Sequence, residues 1–190
     1  RENRLILHGP KELDAMAKNI IEAFDFDIKY RINGTQPQNS TGYQYIFYEI
    51  FDGYIYEDKF VKVEAFKNNH GDLEESYGFV FETADKKIVF SGDTAPSERL
   101  LQKAKDADIP IHEIYSQQGF DNKTPDWQKY HAAHHTSPKE IGSIASKIKP
   151  KKLVLSHILF WGSKPEDIRK EVKLFYDGEV IIAEDLLLID

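Results

Sequence analysis

Phe90-Ser91-Gly92-Asp93-Thr94 closes a short apolar strand with a carboxylate just beyond its end, and this placement decides the fold class. Lys87 to Ser91 reads as the strand, and residues 96–106 as a helix with Pro96 in its first turn and Leu100, Leu101 and Ala104 on one face. Strands alternating with helices make an α/β layered domain, and open α/β sheets gather ligands at the carboxyl ends of their strands. Upstream, Tyr77 to Thr83 is a second strand, turned at Asp85-Lys86. Before it, Tyr43 to Ile50, Tyr54 to Glu57 and Lys62 to Phe66 carry β-branched and aromatic residues, with Asp52-Gly53 as a hairpin turn. Residues 3–7 read as a strand ending at His8-Gly9-Pro10, Lys11 to Phe24 as a helix, and residues 33–42 as a polar loop. Downstream lie a strand at Ile109 to Tyr115, an aperiodic polar and aromatic segment at 120–135, and a helix from Pro138 to Ile148 capped by Thr136 or Ser137. Leu153 to Ser156 is a buried strand, Pro165 to Tyr176 a helix, and Glu179 to Ile182 and Asp185 to Ile189 are closing strands.

The 190 residues suffice for one domain and are too few to expect two. A net charge of -7 argues against a polyanionic partner, and the basic run from Lys147 to Lys152 reads as a solvated helix end and loop. No apolar run approaches the roughly 18 residues of a membrane span, and Arg1 to His8 lacks the layout of a signal peptide. The compartment stays open between cytoplasm and periplasm, because an export signal would lie upstream. Cysteine is absent, so metal ligands must come from His, Asp and Glu.

Seven histidines are present, and their positions carry more information than their number. His70 follows the strand that ends at Phe66, Asp93 follows the strand that ends at Ser91, and His157 terminates Leu153-Val-Leu-Ser-His157. All three place a metal-binding atom at or just beyond a strand end. Singly, each has a structural reading: Asp93 as a turn former or helix cap, His157 as a backbone-bonded histidine, His70 as a surface residue. Jointly, imidazole and carboxylate donors without thiols suit Zn²⁺ or another divalent ion.

Phe90 to Thr94, Asp108-Ile-Pro-Ile-His-Glu113, His135-Thr-Ser-Pro-Lys-Glu140 and Leu153 to His157 occur in an order that resembles the metallo-β-lactamase superfamily, closest to its ribonuclease Z and arylsulfatase-like branch. The resemblance extends to the Gly9-Pro10 turn, the Tyr54 to Glu64 hairpin, Tyr77-Gly78-Phe79 and Ala183 to Leu186, and so covers nearly the whole chain. It implies an αββα sandwich, of which this chain is the C-terminal part, and two zinc ions between the sheets. By the same resemblance His70 is a ligand of the first ion, Asp93 bridges both, and His157 binds the second. Two cations about 3.5–4 Å apart share a hydroxide and stabilise attacking and leaving oxygens together. His135 matches the histidine that donates a proton to the leaving group, with Glu113 orienting its imidazole and His131 and His134 as rivals. His112 and His8 are read as structural.

The superfamily's first signature, His-x-His-x-Asp-His, is absent from these residues. The expectation is that it lies in a missing N-terminal segment and that this chain alone is inactive; a natural half without activity, acting as an interaction module, is the other reading. Only 22 residues, 71 to 92, separate His70 from Asp93, which leaves no room for the tRNA-binding arm of bacterial ribonuclease Z. With the acidic charge, this favours a small-molecule carboxylic, sulfate or phosphodiester substrate over tRNA 3′-processing and argues against nucleic acid. Phe120, Trp127, Tyr130, Phe160 and Trp161 are candidates to line its pocket. A homodimer stays open.

Overall fold

The computed structural model describes residues 2–36 and 39–189. Its contacts divide into two compact units, Arg1–Phe51 and Asp52–Asp190.

In the first unit, β1 (Leu5–Gly9) and β2 (Tyr45–Glu49) pair in parallel, Leu5 opposite Tyr45 and Gly9 opposite Glu49. Between them run α1 (Glu12–Ala23) and α2 (Asp25–Asn33). The parallel pairing of β2 removes the hairpin expected at Asp52-Gly53, because β2 and the next strand belong to different sheets. Helix α2 was not legible as apolar periodicity. Its apolar residues Phe26, Ile28, Tyr30 and Ile32 alternate with polar ones rather than forming a helical stripe, and it is held by exposed pairs one turn apart, Lys29 to Asp25 and Arg31 to Asp27, each at 2.7 Å.

The second unit is a seven-stranded sheet in sequence order: β3 (Gly53–Glu57), β4 (Lys62–Lys67), β5 (Tyr77–Glu82), β6 (Lys87–Phe90), β7 (Ile109–Tyr115), β8 (Leu153–Leu159) and β9 (Val180–Ile182). Neighbours are antiparallel from β3 to β6 and parallel from β6 to β9. The change occurs where short turns give way to helical crossovers, since parallel neighbours need a long connection. These crossovers carry α3 (Glu98–Ala104), α4 (Gln117–Asp121), α5 (Pro125–His134), α6 (Pro138–Ile148) and α7 (Pro165–Lys173). Residues 185–189, expected as a strand, form none.

Strand alternation sorts the side chains into two faces. Phe66, Val80 and Val89 pack with Leu100 and Ala104 of α3, while Leu153 and Leu155 join Ile141, Ile144, Ile168 and Val172 of α6 and α7. Gly78 opposes Phe66 across the β4–β5 pair, and a Cβ there would lie 2.4 Å from the Phe66 ring, so only glycine leaves room for this core side chain. The other face carries Phe79, Phe81, Phe90 and Ile111, with ring centroids 6.4 Å apart for Phe79–Phe81 and 5.6 Å for Phe81–Phe90. Helix α6 is anchored at its start by a reciprocal cap: Ser137 accepts from the Glu140 amide, and Glu140 accepts from the Ser137 amide at 2.9 Å. No helix among the described residues is long and apolar enough to cross a membrane.

Candidate metal and hydrolase centre

The carboxyl ends of β4, β6 and β8 and the loop before α6 meet at one edge of the sheet, and the backbone holds them there before any side chain chemistry begins. Asn68, just past β4, donates its side-chain amide to the carbonyls of Ser91 at 2.8 Å and Asp93 at 3.0 Å. Asn69 bridges to Ala95, whose amide donates to the Asn69 carbonyl at 2.7 Å. These bonds set the His70 loop against the Asp93 loop. Gly92 turns the latter with φ +64, where a Cβ would also meet the Tyr77 carbonyl oxygen at 2.4 Å. Thr136 ties in the third loop: its amide donates to Glu113 Oε1 and its hydroxyl to the Thr94 carbonyl, both at 2.7 Å. Asn68 did not stand out in the sequence, and Thr136 did so only as a motif residue and candidate helix cap, because a tie between loops distant in sequence leaves no local pattern.

The sequence-derived residues converge on this edge. His157 Nδ1 lies 2.8 Å from Asp93 Oδ1, and His135 Nδ1 lies 3.4 Å from Glu113 Oε2. His70, Asp93 and His135 offer donor atoms within 4.8 Å of one another, and so do Glu113, His135 and His157. Two overlapping sets with His135 in common can hold one ion or two neighbouring ions. His70 donates Nδ1–H to the His134 carbonyl at 3.1 Å, which fixes its tautomer and leaves Nε2 as the ligating atom.

A test of fit comes from the polar atoms left over. Glu113 Oε2 and His135 Nδ1 are buried and make no hydrogen bond, although most buried polar atoms find a partner. The two face each other at 3.4 Å, and the surrounding donor set of imidazole and carboxylate without thiolate suits zinc. Burial pushes the Glu113 carboxyl up to about 9, with Asp93 raising it further and the Thr136 amide opposing. Burial also lowers the His135 imidazole, against the pull of the Asp93 charge. His112 is 3% exposed on the opposite side of β7, and its burial lowers it to about 4; it takes no part in the cluster.

His157 reaches the site through a defect. Between β7 and β8 the pairing steps from His112–Leu155 to Ile114–Ile158, one extra residue on β8, and His157 there adopts φ 43. A bulge re-aims a side chain, and a left-handed non-glycine residue stores strain of the kind found at functional sites.

The segment 120–135, read as aperiodic, holds the end of α4 and all of α5. Its signal was present in Thr124-Pro125, a helix-start pair, and was masked because the stripe at helical spacing is made of rings and histidines rather than aliphatic residues. His134 stacks on Tyr130 at 4.2 Å and donates Nδ1–H to the Tyr130 carbonyl at 2.7 Å. His131 lies between Trp161, 4.5 Å away, and His135, 5.7 Å away. Neither rival belongs to the two donor sets, which leaves His135 as the histidine at the centre. Phe120 stacks on Tyr115 at 4.8 Å and Trp161 lies 5.8 Å from the same ring, so these two aromatics pack loops. The cavity beside Asp93, Glu113 and His157, about 420 Å³, is lined instead by Tyr77, Phe79, Phe81, Phe90 and Ile111.

Comparison with known proteins follows this geometry. The family described as "Beta-lactamase superfamily domain" matches residues 48–158, more than half of the chain and the whole of the site. A ribonuclease Z from Methanosarcina acetivorans is 33% identical over 106 residues, 55% of this chain and 32% of the relative. The match thus spans about a third of that relative's length. Two solved structures share the fold: YhfI, a metallo-β-lactamase fold protein of Bacillus subtilis (TM-score 0.69, 20% identity, 100% of this chain and 67% of that one), and the short form of human tRNase Z (TM-score 0.64, 18%, covering 98% and 66%). The matches fall on the ribonuclease Z side of the resemblance, and the arylsulfatase-like side receives no support. The chain belongs to the metallo-β-lactamase superfamily.

Proposed function

We propose that this chain carries the C-terminal part of the active site of a zinc-dependent phosphodiester hydrolase that acts on RNA, with the remaining metal ligands supplied by a segment outside residues 1–190. The observation that supports it most is the convergence of His70, Asp93, Glu113, His135 and His157 at one edge of the sheet. Relatives named ribonuclease Z turn the expected substrate from a small ester to a ribonucleic phosphodiester, against the inference drawn from net charge. Net charge is a property of the whole surface, whereas a substrate meets one edge of it.

In this reading His70, Asp93 and His157 would hold the metal. Zinc there would supply activation of the attacking water and neutralisation of charge on the phosphoryl oxygens. His135 donates a proton to the departing ribose oxygen. Glu113, 3.4 Å away, holds its orientation. Thr136 fixes Glu113 in turn.

The test is a panel of RNA and carboxylic ester substrates with the full-length protein. We expect cleavage of RNA, and a loss of about 10²–10⁴-fold in turnover for His135→Ala with zinc content unchanged. Glu113→Gln should leave the pH–rate profile in place below about pH 9, because the buried carboxyl it replaces is already neutral there. Loss of zinc from the His135→Ala protein would make His135 a ligand, and hydrolysis of esters alone would reject RNA as the substrate.

A further inference from the structure

Helix α5 presents four rings at helical spacing, Trp127, Tyr130, His131 and His134, and only the inner two are explained by the site. Trp127 is 55% exposed and Tyr130 46% exposed, their rings 5.6 Å apart and edge to face. Each heads a stack that descends into the metal cluster. Trp127 lies over His131 at 5.6 Å with the planes 23° apart, His131 lies 5.7 Å from His135, and His135 stacks on His157 at 6.0 Å. Tyr130 stacks on His134, which meets His70 edge on at 5.1 Å. Lys123 sits 4.5 Å over the Trp161 ring, which itself borders His131, so a cation flanks the column where a phosphate backbone would run.

From this arrangement we infer that Trp127 and Tyr130 form a stacking platform for a nucleobase next to the scissile phosphodiester. The inference rests on the RNA hydrolase reading and gives it a means of orienting its substrate. Large exposed rings cost free energy in water unless something covers them, and every nucleobase offers a planar face. The rings continue the site itself, one layer outward from histidines that touch the donor set, and a basic group lies beside them. A base held there places its own phosphodiester at the metal edge without any reading of sequence, which suits an enzyme whose surface is acidic overall and gains little from non-specific attraction.

The experiment compares two short RNAs, one with an ordinary base and one abasic at the nucleotide adjoining the cleaved bond, in the full-length protein. The wild type should favour the base-bearing RNA by about 5–100-fold in kcat/KM, the range of one base–aromatic stack. That preference should fall to about one in Trp127→Ala and return in Trp127→Phe, which keeps a flat ring. A merely structural tryptophan would lower both substrates together and leave the ratio intact, and that result overturns the proposal. In a Trp161→Phe background, Trp127 is the remaining tryptophan of two within these residues, and an RNA that resists cleavage because a methylene group replaces the ribose oxygen of the scissile bond should quench its emission. No RNA cleavage with quenching present would reject the hydrolase reading and keep the platform; cleavage without quenching or preference would reject the platform and keep the hydrolase.

Discussion

Glu113 and His112 are neighbours on β7 that point to opposite faces of the sheet, and burial drives them in opposite directions. The carboxyl rises to about 9 and the imidazole falls to about 4, each toward its neutral form. Their stability signs follow from linkage. Glu113, raised from 4.5, loses stability as pH climbs from there to about 9; His112, lowered from 6.5, loses it as pH falls from there to about 4. Between roughly pH 4.5 and 6.5 the two slopes oppose each other. With metal removed by a chelator, the protein should therefore be most stable in that window and should weaken on both sides. Thermal denaturation across pH 4–9 reads this directly, and Glu113→Gln should flatten the alkaline limb alone. An alkaline limb that persists in the variant would place the titrating group elsewhere.

Among elements, β8 shows most clearly what a pattern can and cannot announce. Its apolar start, Leu153 to Leu155, was legible as a buried strand, and His157 at its end as a candidate ligand. The bulge that aims His157 was not legible, because register depends on the partner strand. Helix α6 was legible in its bounds, Pro138 to Ile148, and at its start, where Thr136 and Ser137 were the expected caps and Ser137 is the one that serves. Helix α5 was not, since its stripe is aromatic and imidazole; the expected β2–β3 hairpin failed because β1 competes for β2. The strain at His157 makes a prediction of unusual sign. Glycine in a strand is ordinarily less stable than alanine by about 0.5–1 kcal/mol. At φ 43 the alanine Cβ costs about 1–2 kcal/mol and the half-exposed imidazole contributes little packing, so His157→Gly should be more stable than His157→Ala in urea titration. The ordinary order would mean that the backbone relaxes once the imidazole is gone.

At the scale of the molecule, the sheet changes from antiparallel to parallel at β6, and the site gathers at the carboxyl ends of the strands that follow. Asp93, Glu113 and His157 come from β6, β7 and β8 in turn, and three loops tied by Asn68 and Thr136 close around them. Residue types and strand ends marked the candidate ligands in the sequence; the ties that gather them into two overlapping donor sets appear only in the fold. The measurement that tests this most directly is an anomalous difference map at the zinc edge from crystals of the zinc-loaded protein. A peak about 2 Å from His70 Nε2, from an Asp93 carboxylate oxygen or from a His157 ring nitrogen is the predicted result, with Asp93 touching every ion bound at the site. Zinc seated on His131 and His134 instead, or a map in which Asp93 contacts no metal, would contradict the account.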